Sequence, residues 1–324
     1  MSFPTSTTDI MATTIENRSK KVQDNVTNNN AILKKLSMRG KIKTFSGGSK
    51  IIQELSFAEN ANAGWYSGYD LLPTNAVDVI GAAEYNIRQA AVPVVISGLE
   101  QLQNAGPEQM IDLMEERLGV AESTMSNLLA DGLYSDGTAS SGKQIEGLEA
   151  ALPLANTTGT YGGIDRSAYS FWQHQIQDAA DTTTMQADMN TLWASLQRGQ
   201  DRPDLIMMDN TAWLAYLASL QAQQRFTSPS VGNLGFPSIK FMDADVILDG
   251  GIYDFSRSGT PTGTAFFLNC KYLHYRPHSA RNMVPLSPNR RYATNQDAEV
   301  QILAWAGNLT CSGQKFQGRL DVNA

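Results

Sequence analysis

The sequence predicts an α+β protein with an N-terminal arm, an extended β-ribbon, one long helix and a central α/β region. Three observations predict it. A single helical stripe runs through residues 107–131. Before it, two runs of period-two alternation flank a turn-rich aromatic stretch. After it, short apolar strands alternate with helical segments. The chain has 324 residues, 42% hydrophobic and 18% charged. That is enough for one large domain or two with a sizeable core, and it excludes global disorder.

Residues 1–48 are rich in Thr, Ser, Asn and Lys. Helical spacing through Ile15, Val22, Val26 and Ile32 is weak, and Asn28-Asn29-Asn30 interrupts it. The segment reads as an arm that orders only when a partner ties it down. Residues 1–50 hold nine basic and three acidic side chains, a balance of +6, against −7 for the whole chain and therefore −13 for the remainder. Arg18, Lys20, Lys21, Lys34 and Lys35 give the arm its basic character. No aromatics are interleaved for base stacking, so a protein surface or solvent is favoured over nucleic acid.

Residues 49–96 read as two long strands and a tip. Ile51, Leu55 and Phe57 share one face of the outgoing strand. Val77, Val79, Ala83, Tyr85 and Ile87 share one face of the return strand. The tip is turn-rich yet carries Trp65, Tyr66, Tyr69, Leu71 and Leu72. A two-stranded ribbon has no core to bury them, so another chain is the expected cover; a local hairpin packed on its own domain is the alternative. Pro93 marks the end of the return strand as an edge.

Gly106-Pro107-Glu108 starts the long helix, with Pro at its first position and Glu at the positive end of the dipole. Ile111, Met114, Leu118, Ala121, Met125 and Leu128 form the stripe, with Gly132 and Gly137 as stops. Asp112, Glu115, Glu116 and Glu122 lie mainly off it. On this stretch alone an ordinary amphipathic core helix is favoured over a strut with one acidic face.

Beyond residue 138 the pattern is α/β. A short helix at IEGLEAALP, the loop TTGTYGGIDRS, a helix at SFWQHQIQDAA and another over 187–197 are expected. PDLIMMD is a buried strand, and Asn210 caps a helix with Trp213, Leu214, Leu217 and Leu220 on one side. SIKFMDADVILDG and GTAFFLNCKYLHYRP are strands. The tail reads as a hairpin turning at Ser312-Gly313.

No persuasive catalytic constellation appears. Residues 137–144, GTASSGKQ, match G-x-x-x-x-G-K but end in Gln144 where magnesium needs a hydroxyl, and they follow a helix rather than a strand, so a linker is the better reading. His274 and His278 are four apart, but Pro277 between them opposes one helical face, and no acidic third ligand is near. Asp243, Asp245 and Asp249 read as a solvated strand edge, with a calcium site as the alternative. Cys270 and Cys311 form neither a zinc motif nor a disulfide framework, which fits a reducing compartment. No stretch approaches ~18 apolar residues, and the expectation is a soluble chain without a signal peptide or a membrane partner.

Five stretches in order carry a resemblance: EYNIRQAAVPVVISGLEQLQNAG at 84–106, MIDLMEERL at 110–118, LYSDGT at 133–138, YGGIDRS at 161–167 and WAGNLTCSGQKFQG at 305–318. Together they resemble the major capsid proteins of tailed bacteriophages, the Hong Kong 97-like fold. The resemblance implies an arm at 1–48 and an extended loop at 49–96 lying over a neighbour. It implies a peripheral domain from 97–139 and 286–324 with a spine helix at 107–131, and an axial domain at 140–285. It implies pentamers and hexamers forming an icosahedral head around double-stranded DNA held without sequence specificity. The acidic spine face would then repel that DNA. A shell subunit, not an enzyme, follows, with no cofactor. A separate scaffolding protein, a portal and a decoration protein are the implied partners, in the virion and, during assembly, the host cytoplasm. The alternatives are an encapsulin-like compartment and, remotely, a nucleotide-binding enzyme built on residues 137–144.

Overall fold

In a computed structural model of the chain, residues 30–103, 107–179, 184–220, 238–249, 262–286, 291–292 and 298–322 are described. Elements are numbered in chain order. A six-stranded sheet runs β6 (Gln175–Ala179), β14 (Gly318–Val322), β10 (Thr264–Leu268), β7 (Leu205–Met208), β9 (Ala244–Leu248), β8 (Ser238–Phe241). The β6–β14 and β7–β9 pairs are parallel and the others antiparallel. β7 and β10 have no solvent-facing residue. Leu205, Met207, Phe266 and Leu268 face the main core, while Ile206, Met208, Ala265 and Phe267 face a second one under the helices. That is why LIMM carries no polar alternation: both faces are covered. The covering helices are α5 (Met185–Leu196) and α6 (Asn210–Leu220).

A second, four-stranded sheet is centred on β13 (Ala298–Cys311). It pairs β3 (Arg88–Ser97) on one side and β11 (Leu273–Pro285) and β12 (Arg291–Tyr292) on the other. The long helix, α3 (Pro107–Tyr134), packs on β3 through Leu118, Ala121, Met125, Leu129 and Leu133, facing Val94 and Ile96. At 1.5 Å per residue it is about 42 Å long. The ribbon is β1 (Lys50–Ser56) and β2 (Ile80–Asn86), antiparallel, with Ile51 opposite Tyr85.

Several expectations are corrected. The spine runs to Tyr134, past Gly132, and its buried stripe passes through Leu129, leaving Leu128 exposed. A strict 3-4 alternation has a period of 3.5, and a real helix drifts off it. The return strand divides at Ile87: β2 belongs to the ribbon and β3 to the sheet. SFWQHQIQDAA is a short 3-10 turn (Ser170–Trp172) followed by β6, because Trp172 is buried and the next residues pair with β14. The cap of α6 is Asp209, whose carboxylate accepts from Ala212 N at 2.7 Å, not Asn210. Its buried face is Ala212, Ala215 and Tyr216, with Leu214 exposed. YGGIDRS is a β-hairpin, β4 (Thr160–Tyr161) and β5 (Ile164–Asp165), turning on Gly162 and Gly163, both at positive φ. The tail forms no hairpin. After β13 the chain crosses to the six-stranded sheet, where β14 lies between β10 and β6.

The described part of the arm is also tied down within its own subunit. α1 (Ala31–Met38) buries Ala31, Ile32, Leu33 and Leu36 in the main core. Asn30 does not break it: its side chain accepts from Ile32 N and Leu33 N and caps it.

Candidate assembly surfaces

The ribbon is anchored at its base. Tyr85 is fully buried, and its hydroxyl donates to Cys311 O at 2.9 Å. Its ring meets Tyr161 edge-on at 5.2 Å. Gly162 lets this happen, because a Cβ there would fall 2.9 Å from the Tyr85 ring, and its φ of +59° disfavours any side chain. Glu84 N donates to Gly162 O at 2.9 Å.

Four of the five stretches that carried the resemblance, all but 110–118, converge here. Arg166 donates to the carbonyls of Ala150 and Ala151 at 2.8 Å, at the end of α4 (Leu148–Ala151). Trp172 donates to Tyr161 O at 2.9 Å. Asn308 on β13 accepts from Glu146 N and donates to Asn86 O. Ser135, just past the spine, donates to Ile145 O, and its carbonyl accepts from Gly147 N. A Cβ on Gly147 would strike the carbonyl oxygen of Gly132 at 2.4 Å, so only Gly fits against the spine's end. Ribbon, spine, hairpin and β13 thus meet in one joint.

The tip has no comparable support. Trp65, Tyr69 and Leu71 are fully exposed, and Tyr66 and Leu72 mostly so. Its hydrogen bonds are local: Ser67 N donates to the Asp70 carboxylate at 2.8 Å and the Asn62 amide to Asn75 O at 2.5 Å. Five large apolar side chains in water on a two-stranded projection form an unpartnered surface. Closer to the body the ribbon is again held, by Phe57 stacked on Phe171 at 5.2 Å and by Glu59 paired with Arg198 at 2.7 Å.

Of the basic arm, Lys35 pairs with Asp245 at 2.8 Å, and Lys34 is half-exposed on α1. Arg18, Lys20 and Lys21 lie outside the described residues. On the spine, Glu122 is half-buried; the side chains of Asp112, Glu115 and Glu116 lie outside the described ones.

Residues 137–144 follow the spine and form a left-handed turn, with Ser140, Ser141 and Gly142 all at positive φ. Arg88 holds it by donating to Gly142 O and pairing with Glu146 at 2.7 Å. No strand leads into it, as a phosphate-binding loop requires. His274 is buried, and burial first, with Lys41, Lys43 and Arg276 adding, holds its pKa down to about 4. His278 is edge-on to Phe45 at 4.9 Å. The two histidines point to different neighbours, and among the described residues no group of three metal-ligating side chains forms. The aspartate run is not simply solvated: Asp243 pairs with Arg202, Asp245 with Lys35, and Asp249 accepts from Tyr134. Burial pushes the Cys311 thiol up to about 12 and Cys270 well above the ordinary range, so both are inert core residues.

Sequence reasoning missed the buried ion network of the six-stranded sheet. Arg319 Nη1 lies 2.7 Å from both Glu149 oxygens, and its Nε lies 2.8 Å from Asp321. Thr264 donates to Asp321 at 2.8 Å. Burial works against the Arg319 charge, but Asp321 and Glu149 outweigh it and hold the guanidinium above its ordinary pKa. An Arg-x-Asp alternation in a strand of the tail was the available signal.

No family model and no curated protein matches the chain. Solved structures do. The cyanophage A-1(L) capsid asymmetric unit superposes with a TM-score of 0.59 at 17% identity, covering 89% of this chain and 93% of that one. The capsid of a native GTA particle gives 0.59 at 12%, covering 89% and 90%. The SrpI encapsulin of Synechococcus elongatus PCC 7942 gives 0.55 at 11%, covering 88% and 86%. At such identities the likeness is one of fold, and it spans nearly the whole of each chain. The spine helix, the two sheets and the projecting ribbon together make this the Hong Kong 97-like capsid fold.

Proposed function

We propose that this chain is the major capsid protein of a tailed bacteriophage, assembling in many copies into an icosahedral head around double-stranded DNA. One observation carries the reading: a fold shared along about nine-tenths of the chain with phage capsid subunits. The ribbon tip supports it as a surface that needs a neighbour, with Trp65, Tyr66, Tyr69, Leu71 and Leu72 as the intersubunit contact. In this reading α3 and the β13 sheet make the peripheral domain. The six-stranded sheet, which includes β14, makes the axial domain at the five- and six-fold positions. The acidic spine positions face the lumen. The arm docks on protein, as Lys35 on Asp245 exemplifies. The chain acts as a structural subunit without catalysis, and a separate scaffolding protein and a portal complete the head.

The encapsulin match favours a second reading, a compartment around protein cargo. Negative-stain images of the overexpressed chain, alone and with a candidate scaffold, test both. Head-sized shells formed only with a scaffold support the first. Uniform small shells formed by the chain alone favour the second, and no shells under any condition would sink both.

A further inference from the structure

Between the spine and the body, three successive residues are left-handed: Ser140 at φ +54°, Ser141 at +60° and Gly142 at +73°. Glycine takes this conformation freely, whereas each serine is strained by its Cβ. Among the described residues the other non-glycine cases are single, Met242 in the β8–β9 turn and Met283 at a break in the register of β11. There a strand pair imposes the conformation. No strand holds residues 140–142. Both serine side chains are exposed, so packing does not offset the strain.

What does hold the turn comes from the root of the ribbon. Arg88 lies two residues past the end of β2. It donates from Nη1 to Gly142 O and pairs through Nη2 with Glu146 at 2.7 Å. The two side chains are only 19% and 18% exposed, where such charge-assisted bonds are strong. Asn86, the last residue of β2, accepts from Asn308, which also accepts from Glu146 N. Ribbon root and turn are thus tied at two points. The turn also borders a cavity of about 320 Å³ walled by Ala90, Ala91, Leu128 and Leu129, so it has room to rearrange.

We propose that residues 140–142 are a strained hinge latched by Arg88, through which the pose of the ribbon sets the path of the chain between spine and body. Hinges absorb large φ/ψ changes over a few residues, and strain with room to relax gives this one two positions. With the latch closed the serines stay left-handed. When the ribbon is drawn away, Arg88 leaves Gly142 O and they return to the right-handed region. That a neighbour draws the ribbon rests on the capsid reading; the latch does not.

The test follows amide exchange of Gly142, which donates to Thr138 O at 2.9 Å within the turn, in the full chain kept as single subunits by dilution. Arg88→Met keeps the apolar stem, removes the donors and speeds that exchange at least about tenfold. Ser140→Asn with Ser141→Asn relieves the strain, because asparagine tolerates left-handed backbone. Added to Arg88→Met, this pair brings exchange back to within about threefold of the parent; alone it raises the urea midpoint. Phe57→Ala breaks the stack on Phe171 that holds the ribbon down, and it too speeds exchange at Gly142. Circular dichroism checks that each variant folds; if Arg88→Met does not, the asparagine pair and Phe57→Ala decide. Parent-like exchange in Arg88→Met, or a midpoint the asparagine pair leaves unraised, overturns the latch. Parent-like exchange in Phe57→Ala overturns its link to the ribbon. Negative-stain images separate the capsid reading. Shells from a chain without the latch would sink this hinge alone, and a latched chain that never forms shells would uphold the hinge and sink that reading.

Discussion

At the base of the ribbon, Tyr85 is fully buried, bonded to Cys311 and pressed on a glycine that tolerates no Cβ. At the tip of the same ribbon, Trp65 and Tyr69 are as exposed as free side chains. Both ends are aromatic, the base in an alternating strand and the tip in a turn-rich run. What separates them is the number of elements brought against each. The base meets β13, the YGG hairpin and the end of the spine, while the tip meets only its own turns. Large aromatics on a projection contribute nothing to a monomer, so in the proposed capsid the difference between the ends would separate what holds the subunit from what joins it to others.

The largest expected effect breaks the tip while sparing the base. Trp65→Ala with Tyr69→Ala should abolish shells while changing subunit stability by less than about 0.5 kcal/mol, since neither side chain is buried in the single chain. Electron microscopy and urea melts of the same preparation check both halves. Normal shells would remove the tip from the interface.

The body should respond in the opposite way. Arg319→Ala leaves the buried Glu149 and Asp321 without their cation in the six-stranded sheet, with Thr264 still donating to Asp321. Removing one member of a buried ion network costs about 3–5 kcal/mol. The urea midpoint should fall accordingly, with the ribbon tip untouched. A loss below about 1 kcal/mol would mean that water reaches the network.

A smaller, pH-dependent effect sharpens the same contrast. His174 is buried, and its Nε2 lies 2.9 Å from Pro153 O. Burial first, with the charges of Arg166 and Arg319 adding, holds its pKa down to about 3, against 6.5 ordinarily. The unfolded chain therefore binds the extra proton between those values. Stability is full above about pH 6.5 and falls as pH drops, by up to about 1.4 kcal/mol per unit for this one group. His174→Gln, which can still donate to Pro153 O, should lower that slope by this group's share in melts between pH 7 and 4.5, leaving the share of the buried His274. An unchanged slope would shift the acid sensitivity to other groups.

Much of this architecture was legible in the sequence, and the parts that were not share a cause. The spine, the ribbon faces and the buried LIMM strand follow from periodicity, because each buries a repeating face within one element. The tail was misread because β13 and β14 are adjacent in sequence yet join different sheets, and a turn signal at Ser312-Gly313 cannot report which sheet comes next. SFWQHQIQDAA looked helical because Trp172 and Ile176 are four apart, but the ladder to β14 overrides that local pattern. Asn30 reads as a breaker by propensity and acts as a cap, since its effect depends on the helix that follows. Of the proposed assembly surfaces, the aromatic tip stood out in composition.

The smallest effect is expected between spine and body, at residues 137–144. Lys143 follows a left-handed turn held by Arg88, and its side chain is exposed. A phosphate-binding lysine needs a strand leading into its loop and a hydroxyl after it; here α3 leads in and Gln144 follows. Exposed linker substitutions usually change stability by less than about 0.5 kcal/mol. Lys143→Ala should therefore melt and assemble as the parent does, and neither protein should bind ATP or GTP saturably in equilibrium dialysis. Micromolar binding by the parent that disappears in the variant would make this turn a nucleotide site, and the joint between spine and body would then carry chemistry as well as structure.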